Sequence, residues 1–179
     1  MFFHGGLTMG NKIKITARTI ELIAEFNSTR TAQAIWKALP VKGFANLWGN
    51  EIYFSIPVIL TLESGKGLVD MGDLCYWPEG NAFCIFFGPT PISKGDQIKP
   101  ASEVSVFGKI IGDAVVLKKV TSGTKIVIEQ ISDEEAQQLA AQDNKKQTKA
   151  LLIQDNVSSS DRQIVLKKKQ TRAIIVSQQ

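Results

Sequence analysis

The run Ala82-Phe83-Cys84-Ile85-Phe86-Phe87 is apolar at every position. It follows the tight-turn sequence Pro78-Glu79-Gly80-Asn81, which separates it from another apolar strand at residues 74–77. In an antiparallel sheet, a strand that is apolar on both faces needs cover on both, as when a barrel wall has packed side chains inside and a helix outside. The run therefore predicts a mainly β protein whose sheet closes into a barrel.

Further strands and two short helices are predicted on both sides of this run. The strand patterns lie at residues 12–17, 20–26, 51–56, 58–62, 104–110 and 125–129. Apolar residues at helical spacing predict a helix that Pro40 ends and that Asn27 or Ser28 caps. Asp113 is expected to cap a second helix. The loop at residues 88–102 is rich in Pro and Gly, and we expect it either to border a site or to be a packed crossover.

The composition fits one globular domain. The chain has 179 residues, of which 44% are hydrophobic and 21% are charged, and a chain of this size buries about 70% of its unfolded surface. Cys75 and Cys84 lie in apolar strands without a CxxC spacing, which indicates two reduced, buried thiols. No run reaches the roughly 20 apolar residues of a membrane span, and the start lacks the pattern of an export signal. We therefore expect a cytoplasmic protein without a membrane partner.

The basic balance of the chain does not favour a nucleic-acid partner. The formal net charge is +4, and part of it comes from one cluster near the end, Lys167, Lys168, Lys169 and Arg172. Basic residues that bind nucleic acid are spread over a face of the domain instead. We expect this cluster to be a solvated edge, or in second place a contact for an anionic partner.

Histidine and arginine are missing from the body of the chain. The only histidine is His4, and no arginine lies between Arg30 and Arg162. Their absence excludes triads based on histidine, histidine-ligated metals and arginine oxyanion clamps from this region. Four carboxylates could supply acid or base chemistry, but none has the paired spacing of a metal site: Glu51, Asp73, Glu79 and Glu103. We expect no metal and no cofactor, and no catalytic residue can be assigned.

The middle of the chain carries a block of aromatic residues. Its members are Phe44, Trp48, Tyr53, Phe54, Tyr76, Trp77, Phe83, Phe86 and Phe87. Large amphipathic rings suit the recognition of a peptide or a small ligand, but they also fill cores. Since the interior of a small barrel admits few large rings, we expect some of the block to face solvent or a ligand.

The sequence resembles the cyclophilins over residues 12–130. Residues 106–110, VFGKI, are similar to a late cyclophilin strand that leads into a short helix. Residues 46–57 (NLWGNEIYFSIP), 72–82 (GDLCYWPEGNA) and 86–93 (FFGPTPIS) resemble a family of small prokaryotic cyclophilin-like proteins without an assigned biochemical role. The resemblance implies a closed eight-stranded β-barrel with two short helices over its open ends.

The resemblance does not by itself imply prolyl isomerase activity. Cyclophilin isomerases place an arginine after a Phe-His pair in an early barrel strand and a histidine just before the VFGK motif. The matching regions here, residues 48–52 and 102–105, contain neither. Without a permanently charged donor, only amide, hydroxyl or backbone groups remain to polarise a prolyl amide. We therefore expect weak peptidyl-prolyl cis-trans isomerase activity at most.

The function expected from these observations is a binding module that holds a peptide segment or small ligand in an aromatic groove. The expected ligand-binding residues are Trp48, Asn50, Glu51, Tyr53, Trp77, Phe87 and Pro91. The alternative is a divergent prolyl isomerase or a small-molecule enzyme that uses Tyr53, Asn50 and Glu51.

Both ends of the chain are expected to lie outside the barrel domain at residues 12–130. Residues 1–11 show no periodicity and are predicted to be a disordered or added tail. Residues 131–179 are predicted to form a C-terminal extension, with a helix that begins in the capping box at 132–135 and strand-like segments after it. Because the apolar face of that helix is thin and needs a partner surface, we expect the extension to be able to build a homo-oligomer.

Overall fold

A computed structural model of the chain describes residues 11–145 and 148–149. The strands are β1 (Lys12–Ala17), β2 (Ile20–Phe26), β3 (Val41–Phe44), β4 (Asn46–Leu47), β5 (Glu51–Ser55), β6 (Asp73–Trp77), β7 (Ala82–Phe86), β8 (Ser105–Ile111) and β9 (Lys125–Gln130). Helix α1 is Arg30–Ala38, and α2 comprises residues 133–145. Two short 3-10 helices, Pro78–Gly80 and Ala114–Lys119, precede β7 and β9.

The strands form one antiparallel sheet in the order β3-β9-β1-β2-β8-β6-β7-β5-β4. Strand β3 pairs with β9, and β4, which follows it after one residue, pairs with β5. Residues 41–47 therefore join the two ends of the sheet and nearly close the barrel. The predicted mainly β barrel is confirmed. It has nine strands instead of eight because the backbone of Ala45 leaves the sheet to bond with Gly123 and Thr124, and so divides one strand into β3 and β4.

Aromatic rings fill much of the barrel interior. Trp36, Phe26, Phe107, Phe83 and Phe54 follow one another, with successive ring centroids 5.9, 5.1, 5.0 and 5.5 Å apart. Three of the four pairs meet edge to face, and the last is stacked. Both arrangements are favourable for aromatic quadrupoles at these distances, so the rings stabilise the core beyond the area they bury.

The predicted strand at residues 58–62 is wrong. This segment belongs to a loop, and its backbone bonds to a side chain instead of a neighbouring strand. The buried hydroxyl of Tyr76 donates to the carbonyl of Val58 at 2.9 Å and accepts from the N–H of Leu60 at 3.1 Å. The apolar pattern arises because Val58 and Leu60 pack against the barrel core without joining the sheet.

The N-terminal cap of α1 is Thr29 rather than the predicted Asn27 or Ser28. The Thr29 hydroxyl accepts from the N–H of Ala32 at 3.1 Å. The side-chain oxygen of Asn27 is already occupied, because it accepts from both the N–H and the hydroxyl of Thr29. The predicted cap at Asp113 is confirmed, with its carboxylate accepting from the N–H of Val115 at 2.8 Å.

A second carboxylate reaches the start of α1 from a distant loop. Glu63 accepts from the N–H groups of Arg30 and Thr31, at 3.1 and 2.8 Å, and from the Thr31 hydroxyl at 2.6 Å. A negative charge at this end of a helix is also favoured by the helix dipole. The hydrogen bonds from Thr31, followed by those from Arg30, lower the pKa of Glu63 to about 2.

We expect Glu63→Gln to lower the melting temperature at neutral pH. The pKa of Glu63 lies below its ordinary value of 4.5 in the folded state, so between these two values the unfolded chain binds more protons than the folded one. The stabilisation is therefore present above about pH 4.5 and is lost as the pH falls toward 2. Thermal unfolding of both proteins should show a difference at pH 7 that shrinks in acid. The exposed Glu21→Gln is the control, and a constant difference would contradict the charge-based explanation.

The described residues fall into two units, which are divided between residues 136 and 137. The first contains all nine strands, and Ile131 and Ala136 are buried in it. Within the second, residues 137–145 and 148–149 are helical. The tail at 1–10, the strand-like segments of the extension and the basic cluster at 167–172 lie outside the described residues, as does most of the expected assembly element. In the described part of the chain, no helix combines the length and apolar character needed to cross a membrane.

Candidate functional site

The strand β7 is buried on both faces, and each face belongs to a different cluster. Phe83 and Ile85 pack in the barrel core, whereas Ala82, Cys84 and Phe86 point outward into a second cluster. The other buried members of that cluster are Val69, Cys75, Ile98 and Val104. The outer cover therefore comes from loops, whereas the sequence pattern had suggested a helix. The segment at residues 88–104 supplies Ile98 and Val104 and covers this outer face of the barrel.

A cavity of about 260 Å³ lies between this segment and strands β5 and β6. Its lining residues are Trp48, Glu51, Tyr53, Trp77, Pro100, Ala101 and Val104. We call this cavity the aromatic pocket. Strand alternation explains the contribution of β5, because Glu51 and Tyr53 face outward while Ile52 and Phe54 face the barrel core.

Two rings of the aromatic pocket are held at a right angle. The centroids of Tyr53 and Trp77 are 6.3 Å apart, and their planes meet at 88°. The indole N–H of Trp77 donates to the hydroxyl of Ser102 at 2.9 Å, which ties the 88–104 segment to the barrel wall. Trp48, Tyr53 and Trp77 are all half-buried, so each ring is packed on one side and accessible on another. Such rings give a large contact area to a ligand at little cost in side-chain entropy.

Glu51 is the acidic group of the pocket and is only 6% exposed. Burial raises the pKa of its carboxyl from 4.5 to about 7, and a hydrogen bond with the Cys84 thiol offsets part of the rise. Among the described residues, none of the ion pairs includes Glu51. A buried carboxyl with a strongly raised pKa, placed in a cavity, marks a candidate functional site.

The turn at residues 48–51 is fastened to the 88–104 segment. Asn50 donates from its backbone N–H and from its side-chain amide to the carbonyl of Pro89, at 3.0 and 3.1 Å. Gly49 has φ +62°, and a Cβ there would lie 2.8 Å from Cδ of Pro91 and 2.9 Å from Cα of Thr90. Both the left-handed backbone and the close approach therefore require glycine at this position. The turn holds Trp48 and Glu51 in place against the segment.

The structure brings together four of the seven residues expected to bind ligand, namely Trp48, Glu51, Tyr53 and Trp77. The other three have different surroundings. Asn50 bonds to Pro89 beside the pocket, Pro91 is exposed next to Gly49, and Phe87 is 3% exposed in the barrel core. None of these three lines the pocket.

Sequence reasoning missed three lining residues: Pro100, Ala101 and Val104. The available signal was the Pro- and Gly-rich loop at 88–102, for which a site-bordering role was one of two expectations. The residues of a loop that point toward a site depend on hydrogen bonds that the sequence pattern does not show. In this loop, Thr90 donates to the carbonyl of Lys99 at 2.5 Å, and Ser93 accepts from the N–H of Lys99 at 3.1 Å.

The two cysteines lie side by side under the pocket but are poor nucleophiles. Cys75 and Cys84 are directly opposite each other on β6 and β7, and both are free and buried. Burial raises the pKa of each thiol, which disfavours the reactive thiolate. Within residues 11–145 and 148–149, no group of three or more His, Cys, Asp or Glu side chains is arranged to hold a metal ion.

Comparison with known proteins identifies the fold. A family model described as "Cyclophilin-like" matches residues 11–129. The solution structure of the hypothetical protein AF2241 from Archaeoglobus fulgidus is similar, with 38% sequence identity and a TM-score of 0.60. That match covers 71% of this chain and 99% of the archaeal one. No curated protein matches the chain.

Proposed function

The chain belongs to the cyclophilin-like family, and from this premise we propose that it is a binding module that holds a small ligand, or one side chain of a peptide, in the aromatic pocket. The observation that carries the proposal is the convergence of three half-buried rings and one buried carboxyl on a single cavity. Pockets that recognise ligands are mostly apolar and contain a few polar groups that fix orientation. The aromatic pocket has this composition.

The size of the pocket supports a ligand of modest dimensions. Its volume is about 260 Å³, below the roughly 300–1,000 Å³ of sites that enclose drug-sized molecules. One amino-acid side chain or a small metabolite-like molecule fits this volume, whereas a folded segment does not. For a peptide ligand, we therefore propose that one residue enters and the flanking backbone lies along the 88–104 segment.

We do not expect efficient prolyl isomerisation from this domain. The barrel domain has no histidine, and it has no arginine after Arg30, so both groups of the isomerase pattern are missing. The polar group of the pocket is instead Glu51, which is neutral or negative where an isomerase presents a positive charge. We also propose a cytoplasmic location, since Cys75 and Cys84 are free although they lie opposite each other.

We expect proline-containing peptides or small ligands to change the fluorescence of a Trp36→Phe variant in a saturable way. In this variant both remaining tryptophans, Trp48 and Trp77, line the pocket. Adding Tyr53→Ala should weaken binding by about 5- to 30-fold, because a central contact ring at a binding site contributes about 1–2 kcal/mol. Phe44→Ala, which removes an exposed ring outside the pocket, should leave affinity unchanged. Flat titrations across a peptide and metabolite library would argue against the proposal.

A second candidate function is a weak isomerase or small-molecule enzyme that uses Tyr53, Asn50 and Glu51. The observation in its favour is the Glu51 carboxyl, whose pKa of about 7 suits proton transfer at neutral pH. The contribution of Asn50 would be to position the turn, because its amide is bound to Pro89. A protease-coupled proline-peptide assay would compare wild type with Tyr53→Phe and Glu51→Gln. Equal, background rates in all three would end the isomerase version.

A further inference from the structure

We propose that the group recognised in the aromatic pocket is a cation, specifically an alkylated ammonium group. This inference rests on the proposed binding function and narrows it to a ligand class. It is carried by the position of Glu51 at the same cavity as three aromatic rings, those of Trp48, Tyr53 and Trp77. Aromatic rings attract a cation through their quadrupoles, most strongly where water is excluded.

The protein itself does not neutralise Glu51. From neighbouring strands, the titratable groups close to it are the thiols of Cys84 and Cys75, which are uncharged because burial raises their pKa. Asp73, which lies near Cys75, is paired with Lys109. On its own strand, the next residue on the same face is Tyr53. The 88–104 segment lines the pocket only with uncharged residues: Pro100, Ala101 and Val104. A cation from outside is therefore the charge that this arrangement lacks.

The lining of the pocket favours an alkylated ammonium over a primary ammonium. A primary ammonium is strongly hydrated and needs several acceptors to replace its water. Of the side chains that line the pocket, only those of Glu51 and Tyr53 carry acceptor oxygens. An alkylated ammonium carries the same charge on an apolar surface, which fits walls made of rings and of Pro100 and Val104. The volume of a small alkylated ammonium group also suits a cavity of about 260 Å³.

Calorimetric titration of the full chain with choline and its neutral isostere 3,3-dimethylbutan-1-ol tests the inference. We expect choline to bind more tightly than the alcohol at about pH 8.5. Because the Glu51 pKa is about 7, the ionised fraction changes by about 30-fold between about pH 5.5 and about pH 8.5, and choline affinity should rise with it by up to this factor. The alcohol should bind with the same affinity at both pH values.

Glu51→Gln should remove the pH dependence of choline binding and reduce the preference for choline to the part that the rings contribute, while leaving the alcohol unaffected. Glu79→Gln is the matched control, since it removes the same charge from an exposed side chain outside the pocket. Equal affinity for choline and the alcohol at both pH values would overturn the ammonium inference and leave the binding function standing. If neither compound binds, the ammonium inference falls, and the peptide and metabolite titrations of the Trp36→Phe variant decide the binding function separately.

Discussion

Glu51→Gln is expected to stabilise the protein by about 3 kcal/mol at about pH 8 and by almost nothing at about pH 4. Burial holds the pKa of the Glu51 carboxyl at about 7, above its ordinary value of 4.5. Ionising this group therefore destabilises the folded protein, whereas ionising it in the unfolded chain has no such cost. Glutamine has nearly the same shape, cannot ionise and avoids this cost.

The sign of the pH dependence follows from proton binding. Between about pH 4.5 and 7, folded Glu51 keeps its proton while the unfolded chain has released it, so the folded state binds more protons. The stability of the wild type should therefore fall as the pH rises through this window and should level off above it. The Glu51→Gln variant should lack this component of the slope.

Urea denaturation of both proteins across this pH range measures the difference directly. Glu79→Gln serves as the control, because an exposed carboxylate should have little effect on stability at any pH. A stability difference between wild type and Glu51→Gln that does not change with pH would show that burial does not hold the carboxyl in its neutral form. A stabilising variant that also loses ligand binding would place Glu51 among the groups that a protein keeps for function at the expense of stability.

Phe107→Ala is expected to lower the free energy of unfolding by about 3–5 kcal/mol. Phe107 is fully buried in the barrel core. Its ring meets Phe26 and Phe83 edge to face, at 5.1 and 5.0 Å between centroids. The substitution removes both contacts and leaves a cavity in a nearly closed sheet, whose hydrogen-bonded strands can move inward only in part to fill it.

Chemical denaturation of Phe107→Ala beside Phe44→Ala isolates the contribution of burial. Both variants lose the same side chain, but Phe44 is 66% exposed and should change stability by no more than about 0.5 kcal/mol. A loss below about 1 kcal/mol for Phe107→Ala would contradict the packing described for the row of rings through the barrel. Circular dichroism of both variants before denaturation checks that each one folds.

Strand positions could be predicted where the side chains alone determine the pairing. Residues 82–86 are a strand because their inner and outer faces both need apolar cover, and residues 12–17 alternate as a one-sided strand does. Residues 58–62 have a similar apolar pattern but join no strand. The hydroxyl of Tyr76, more than a dozen positions further along the chain, bonds to their backbone, and local pattern carries no information about such a partner.

The site could be predicted in its residue types but not in its boundaries. Trp48, Tyr53 and Trp77 are the members of the aromatic block that were expected to bind ligand and that line one pocket. Phe87 is another aromatic ring among the expected ligand-binding residues but lies in the core, because a single position along the chain decides which face a side chain takes. The raised pKa of Glu51 was not foreseeable, since it depends on cover that includes residues 100–104, about fifty positions away in the chain.

The hydrogen bond from Trp77 to Ser102 determines what the pocket can offer to a ligand. The one N–H of the Trp77 indole is engaged at 2.9 Å, so this ring can contact an incoming molecule only through its carbon atoms. Anions and carbonyl compounds, which look for donors, therefore find no free indole N–H at this wall. The contact that fastens the 88–104 segment to the barrel wall thus also removes Trp77 from the donors that the pocket can offer.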